Sequence, residues 1–181
     1  MKTLYAITLL LSALLTSSAF AQGTRSQNVN LNDVESLVSQ SQHNRAIGEI
    51  ALAPLRSESD VKAYLRANPT TPFDAFGPMS LTRFIDSLTF NSVGLTSFRT
   101  IEMEQELSPR QAYAILSLFG VQKSIAQLRF ENATSEESAA QTRIAPIIMD
   151  DYPGYRCMPP ATCLAAHGMI CIGQNCGGGI P

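Results

Sequence analysis

Hydrophobic residues recur at helical spacing in two segments near the middle of the chain. In both, the apolar positions follow one another at i, i+3, i+4 and i+7, which places them on one face of an α-helix. The two sets are Leu81, Phe84, Ile85 and Leu88, and Ala112, Ile115, Leu116 and Phe119. Each segment therefore predicts an amphipathic helix with its apolar face in a core.

Residues that start and stop helices surround these two faces. Ser80 precedes the first face and is a candidate N-cap. Ser108, Pro109 and Gln111 form a capping box with proline at the first helical position. Gly120 follows the second face and can end its helix in the left-handed conformation. We expect a second short helix to carry Val121, Ile125 and Leu128, forming a bent helical pair from 109 to 129.

Weaker signals predict helices in the first third of the chain. Asn32, followed by Glu35, begins a predicted helix from about 33 to 44. A second helix opens at 57–60 and ends near Asn68-Pro69, because a residue before proline disfavours the helix. The apolar segment 46–54 could be a connector, a continued helix or a short strand. Phe73 and Phe76 lie between loop signals and are expected to enter the core from there.

One segment, 95–103, is enriched in β-branched and aromatic residues and could form a strand. The apolar run 144–149 is a candidate partner for it. Residues 131–143 lack large apolar side chains and predict an exposed helix or a flexible linker. The predicted fold is mainly α: a small bundle of four or five short helices over 32–130, a polar connector at 131–150, and an irregular, disulfide-stapled C-terminal subdomain at 151–181.

The N-terminus has the order of a secretory signal peptide. Lys2 precedes an apolar run from Leu4 to Leu15, and Ala19-Phe20-Ala21 is a small-x-small cleavage site. The segment 1–21 is therefore predicted to direct export, leaving a flexible mature N-terminus at 22–31 and a secreted or periplasmic protein. No later stretch has the roughly 20 apolar residues that a membrane span needs.

Charge weighs against nucleic acid as a partner. The full chain has 13 Lys and Arg against 15 Asp and Glu, a formal net charge of −2, and its basic residues are scattered rather than clustered. A weakly acidic chain of this kind has no general attraction for phosphate backbones.

All four cysteines lie in the last quarter of the chain, with the spacing Cys-x5-Cys-x7-Cys-x4-Cys: Cys157, Cys163, Cys171 and Cys176. An even number of cysteines in an exported chain favours disulfides, which persist in oxidising compartments. Four cysteines allow three pairings, and their spacing does not choose among them.

The same residues offer an alternative, a metal site. On a helix, Cys163, His167 and Cys171 would lie on one face at intervals of four, with Cys157 or Cys176 as a fourth ligand. Thiolate and imidazole groups suit zinc or copper(I). Against a metal, the gaps between the cysteines differ from the close pairs of common zinc sites, and Gly168 weakens the helix.

Sequence signatures of enzymes are missing. The chain has no G-x-S-x-G, H-E-x-x-H, P-loop or G-x-G-x-x-G motif, and its carboxylate clusters at 102–106 and 150–151 read as solvated faces. The sequence therefore favours an exported non-enzymatic binding or interaction protein that presents its C-terminal segment to an unknown protein or surface partner. The alternatives are an extracytoplasmic zinc- or copper-binding protein and a precursor from which a cysteine-rich peptide is cleaved.

Overall fold

A computed structural model describes residues 31–144 and 151–177. The predicted signal peptide, nearly all of the predicted flexible N-terminus and residues 145–149 of the candidate strand lie outside these ranges. Within them, no helix is long and apolar enough to cross a membrane.

Helices make up most of the regular structure. The α-helices are α1 (Leu31–Ala51), α2 (Glu58–Ala67), α3 (Pro78–Ser87), α4 (Ile101–Glu106), α5 (Pro109–Ser117), α6 (Ser135–Ile144) and α7 (Gly173–Cys176). Two 3-10 helices cover Pro72–Ala75 and Gln122–Gln127. The prediction of a largely helical chain is thus confirmed in its coarse form, but the described helices are more numerous and the longest of them, α1, is not short.

Several predicted helix ends are confirmed. Ser57 and Ser108 accept hydrogen bonds from the backbone amides of Asp60 and Gln111, and the capping box at Ser108 is complete. Gly120 is left-handed, with φ of 71°. Other ends differ: α1 runs through the ambiguous segment 46–51, and α3 begins at Pro78 after a Gly77 cap rather than at Ser80.

A core of aromatic and aliphatic side chains joins the helices. Phe73, Phe84 and Phe98 are completely buried, and Phe76 is 6% exposed, so the prediction that the loop phenylalanines enter the core is confirmed. The Phe84 ring stacks on Phe76 at 5.1 Å and makes an edge contact with Phe98 at 6.1 Å between centroids. Val121, Ile125 and Leu128 also enter this core, but Ile125 lies in a 3-10 helix and the other two flank it.

A four-stranded antiparallel sheet packs with these helices. Its strands are β1 (Thr89–Phe90), β2 (Leu95–Arg99), β3 (Asp151–Met158) and β4 (Thr162–Ile172), in the order β1-β2-β4-β3. The predicted strand at 95–103 is confirmed as β2 over its first five residues. Its partners are β1 and β4, with Ser97 opposite Cys171 and Phe98 opposite Ile170.

The expectation of an irregular C-terminal subdomain was wrong. Residues 151–172 form a β-hairpin, and β4 lies in the interior of the same sheet as β2. Ile170 and Ile172 belong to the main hydrophobic core, with 0% and 3% exposure. The apolar end of β4 is thus paired by hydrogen bonds with β2, a strand some 70 residues earlier in the chain.

Candidate functional site

The C-terminal hairpin is folded back on itself. Pro153 of β3 lies opposite Ile170, but Tyr155, two residues on, lies opposite Ala165. Residues 166–169 of β4 therefore face the single residue Gly154, and both Gly154 and Gly168 have positive φ, at 81° and 69°. An insertion of this kind bends a strand pair sharply.

The distance between two cysteines measures the bend. Cys163 and Cys171 are eight residues apart on β4, which in a straight strand would separate their Cα atoms by about 26 Å. The observed separation is 5.9 Å. The outer half of the hairpin is thus brought back beside the part of β4 that pairs with β2.

Two disulfides hold the folded hairpin. Cys163 bonds to Cys171 across the bend, and Cys157 of β3 bonds to Cys176 at the end of α7. The prediction of disulfides is confirmed, and the pairing that spacing left open is 157–176 and 163–171. No free cysteine remains in the described part of the chain.

The sulfur atoms nevertheless form a tight group. The Sγ atoms of Cys157, Cys171 and Cys176 all lie within 4.8 Å of one another. His167 is not a member of that group, and its side chain is exposed. The proposed helical alignment of Cys163, His167 and Cys171 is wrong, because all three residues lie on β4.

One face of the outer hairpin is open to solvent. Arg156 lies opposite Leu164, and Met158 lies opposite Thr162, so these four side chains share a face. Met158 and Leu164 are 39% and 44% exposed, and Arg156 is also exposed. We call these three residues the hairpin face. Residues 152–177 contain no carboxylate side chain, so Arg156 has no acidic neighbour within its own segment.

A cavity of about 480 Å³ lies between α1 and the end of β4. Its wall on α1 includes Ser36, Gln40, His43 and Ile50, which recur at intervals of three, four and seven residues. The residues of its other walls are Gly120, Val121, Lys123, Ser124, Asp151, Ile172 and Gln174. A second cavity of about 280 Å³ shares His43, Ile50 and Gln174 and adds Asn175. We call the two together the α1 cleft.

Three side-chain amide atoms on the α1 cleft are buried without a hydrogen-bond partner among the described residues. They are Oε1 of Gln42, Nε2 of Gln174 and Oδ1 of Asn175. Buried polar atoms are nearly always paired, because leaving one unpaired costs about 1–3 kcal/mol. This concentration of unmet hydrogen bonds sets the cleft apart from an ordinary packing gap.

Charged groups at the cleft are paired within the protein. The Lys123 ammonium lies 3.6 Å from the Glu49 carboxylate and donates to the backbone carbonyl of Gln42 at 3.4 Å. The Ser124 hydroxyl donates to Asp151 at 2.6 Å. The Arg56 guanidinium, on the smaller cavity, donates to the backbone carbonyls of Ser92 and Val93 at 3.4 Å. Among the lining residues, the buried atoms that lack a hydrogen bond therefore belong to neutral groups.

Sequence reasoning missed the α1 cleft. It did not single out Gln42, Gln174 or Asn175. His43, which the sequence predicts to be a surface histidine, is indeed exposed and also lines the cleft. The available signal was the polar stripe of Ser36, Gln40 and His43 at helical spacing on α1. The apolar face that the sequence predicts for this helix, Val34, Leu37 and Val38, is exposed instead.

Two described carboxylates of the 102–106 cluster bind groups of the protein itself. Glu102, expected on a solvated face, is 3% exposed and pairs with Arg99 at 2.9 Å. Glu106 accepts hydrogen bonds from the Ser80 hydroxyl and from the Gly77 amide, and these lower its pKa. Both carboxylates thus serve to join neighbouring elements.

Comparison with known proteins identifies no relative: no family model, no curated protein and no solved structure matches the chain.

Proposed function

We propose that this chain is an exported, non-enzymatic binding protein whose hairpin face contacts a protein partner. The observation that carries the proposal is the folded hairpin itself. Two disulfides constrain a segment of fewer than thirty residues, and that segment leaves two large apolar side chains and one arginine exposed together. A constrained surface loses little conformational entropy on binding, which favours affinity.

The chemistry of the hairpin face favours an acidic partner surface. Arg156 forms no ion pair with any described residue, while the chain as a whole carries a net charge of −2. Arginine beside exposed methionine and leucine resembles the composition of interface centres, where Met and Arg are enriched. We therefore expect the partner to present a carboxylate next to an apolar patch.

Export agrees with the disulfides. Disulfides persist in secreted and periplasmic proteins and are rare where glutathione keeps thiols reduced. Together with the signal peptide predicted at 1–21, the two disulfides support a secreted or periplasmic location.

Site-specific photocrosslinking tests the hairpin face. We would place a benzoylphenylalanine probe at Leu164, or at Met79 of α3 as a control with 73% exposure, and irradiate the extracellular medium of the producing cells. A discrete adduct from position 164, absent from position 79 and removed by Arg156→Glu in the same chain, is the expected result. Equal adducts from both probes, or adducts that survive Arg156→Glu, would contradict the proposal.

A metal-binding function is the second candidate, and the sulfur group favours it. The Sγ atoms of Cys157, Cys171 and Cys176 lie within 4.8 Å of one another, against about 3.8 Å for sulfurs that share a zinc ion with Zn–S bonds of about 2.3 Å. Disulfide sulfurs are not thiolates, so zinc or copper(I) would bind only after reduction. The reduced chain would then use these three cysteines with Cys163 or His167.

Native mass spectrometry of the reduced chain in the presence of zinc tests this second candidate. One zinc ion per chain, lost in Cys171→Ser, is expected if the sulfur group is a metal site. Absence of zinc from the reduced chain would eliminate it.

The packing of β4 weighs against the third hypothesis, a peptide released from a precursor. Releasing residues after the connector would remove β4 from β2 and take Ile170 and Ile172 out of the core. Intact-mass measurement of the exported protein decides the matter, since a free C-terminal peptide would appear directly.

A further inference from the structure

We propose that the α1 cleft is a second binding site, for a small neutral ligand that carries secondary amides, such as a short stretch of peptide main chain. This site uses residues other than the hairpin face and does not depend on the function proposed for that face.

The size of the cleft fits such a ligand. Ligand pockets commonly enclose about 300–1,000 Å³, and the larger cavity alone is about 480 Å³. The smaller cavity shares His43, Ile50 and Gln174 with it and also lies against Ile47 and Ala51 of α1. An elongated ligand of two or three residues matches two adjacent cavities better than a compact ligand does.

The hydrogen-bonding pattern of the cleft is that of an amide. Asn175 is 1% exposed, and its Nδ2 donates to the Leu95 carbonyl at 2.7 Å, which fixes the side-chain orientation and leaves Oδ1 as the unpaired atom. Gln42 adds a second unpaired acceptor, and Gln174 adds an unpaired donor. A peptide group brings one N–H donor and one C=O acceptor, and it therefore satisfies both kinds of atom.

The charged groups around the cleft favour a neutral ligand over a charged one. Lys123 is paired with Glu49, and Asp151 accepts a hydrogen bond from Ser124. Neither group therefore needs a charged ligand as its partner. Arg56, at the smaller cavity, already donates to the Ser92 and Val93 carbonyls. The ammonium group of a free amino acid would therefore be buried beside an arginine, which is costly. The unpaired groups that remain are all carboxamides.

The walls of the cleft are held in place before any ligand arrives. The Cys157–Cys176 disulfide anchors the end of α7, the helix that presents Gln174 and Asn175. The side chain of Asn91, the residue after β1, donates to the Asn175 carbonyl at 2.6 Å and holds the same turn in place. Preorganised groups of this kind reduce the entropy lost on binding.

The experiment is a titration with N-acetyl-Ala-Ala-N-methylamide, a neutral probe with three secondary amides. Saturation-transfer NMR and calorimetry would compare it with its depsipeptide analogue, in which the central amide is an ester, with free alanine and with glucose. We expect a Kd of about 1 mM or tighter for the peptide, the order reached by ligands of this size. The ester should bind about tenfold more weakly, because it loses one donor. Binding of glucose or alanine in preference to the peptide, or binding of none of the four, overturns the proposal.

Substitution of the unpaired amides gives a second readout. Gln42→Leu and Gln174→Leu should each weaken peptide binding at least tenfold and yet raise the Tm of the free protein by about 3 °C, because each removes a buried atom without a partner. Gln105→Leu on α4, an exposed position, is the matched control and should change neither quantity. A lowered Tm in both cleft variants, or a raised Tm with unchanged binding, overturns the proposal. Gln42 and Gln174 lie on different elements, so one variant still reports if the other misfolds.

Discussion

The helical part of the molecule and its C-terminal hairpin are stabilised by different means. The helices share one core built around Phe73, Phe84, Phe98 and their neighbours, all buried away from water. The outer hairpin has a small cluster of its own in which cysteines replace large apolar side chains, with only Tyr152 and Tyr155 packed against it. Where too few apolar groups exist to offset the entropy of ordering a segment, covalent links supply the constraint.

Removal of a central ring should damage the helical part most. Phe84 contacts the rings of Phe73, Phe76 and Phe98, and Phe84→Ala leaves a cavity among them. We expect a loss of about 3–5 kcal/mol in the free energy of unfolding by urea denaturation. Met79→Ala, at a position with 73% exposure, is the control and should cost little. Equal losses at both positions would mean that the aromatic core is not the main source of stability.

Removal of the longer disulfide should have the next largest effect, and it should fall on the hairpin. The Cys157–Cys176 link closes a sequence separation of 19 residues, and Cys157→Ala with Cys176→Ala should cost about 3 kcal/mol in the chain-entropy model. The Cys163–Cys171 link, with a separation of 8, should cost less when removed in the same way. Hydrogen exchange would locate the loss. Faster exchange in the outer hairpin, with the amides of α3 and α5 still protected, is expected, and uniform acceleration would contradict the division into two regions.

Backbone packing in the two regions can be compared at two glycine positions. Gly120 and Gly154 both have positive φ, at 71° and 81°, so alanine strains the backbone similarly at each. A Cβ at Gly120 would lie 2.5 Å from the Glu49 carbonyl oxygen, whereas a Cβ at Gly154 would meet nothing within 4 Å. Gly120→Ala should therefore cost about 2 kcal/mol more than Gly154→Ala in the same denaturation experiment. Equal costs would show that α1 does not press on Gly120 in solution.

Acid should have the smallest effect, and it should act on the helical part. The Ser80 hydroxyl, and then the Gly77 amide, hold the pKa of Glu106 below its ordinary value of 4.5. Because the folded-state pKa is the lower one, this contribution is present above pH 4.5 and is lost as the pH falls through the folded-state value. Solvent screening limits it to under about 1 kcal/mol.

The measurement is the pH dependence of unfolding between pH 6 and pH 2 in wild type and Glu106→Gln. The variant should lose part of the wild-type decline on the acid side. The outer hairpin, residues 155–165, contains no carboxylate side chain and does not pair with β2, so its hydrogen exchange protection should follow this decline less than that of α3. Identical pH profiles for wild type and variant would show that Glu106 does not contribute to the pH dependence of stability.

The helical part was largely predictable because its signals are local. Ser57, Ser108 and Gly120 each affect only the few backbone residues next to them. The spacing of apolar residues alone predicts the buried faces of α3, with Phe84, and of α5, with Ile115 and Leu116. The start of α3 was misplaced because Ser80, a good cap by composition, forms its hydrogen bond with the side chain of Glu106 instead.

For the hairpin, the presence of disulfides could be predicted from the sequence, but the fold could not. Disulfides followed from the number of cysteines, but their pairing depends on a bend at Gly154 and residues 166–169 that interrupts strand alternation. The strand β4 finds its neighbour β2 far along the chain, so no window of sequence contains both. The α1 cleft could not be predicted for a related reason. Gln42 and Gln174 are far apart in the sequence and come to line one cleft only in the folded chain.

The position of β4 also sets the order in which the molecule can form. A chain made from its N-terminus has β2 and all of α2 to α5 long before residues 169–172 exist, yet Ser97 and Phe98 pair with Cys171 and Ile170. Until those last residues emerge, β2 is an open edge strand and the core lacks Ile170 and Ile172. The final residues of the sheet thus act as a completion step, and a nascent or truncated chain without them cannot close its core.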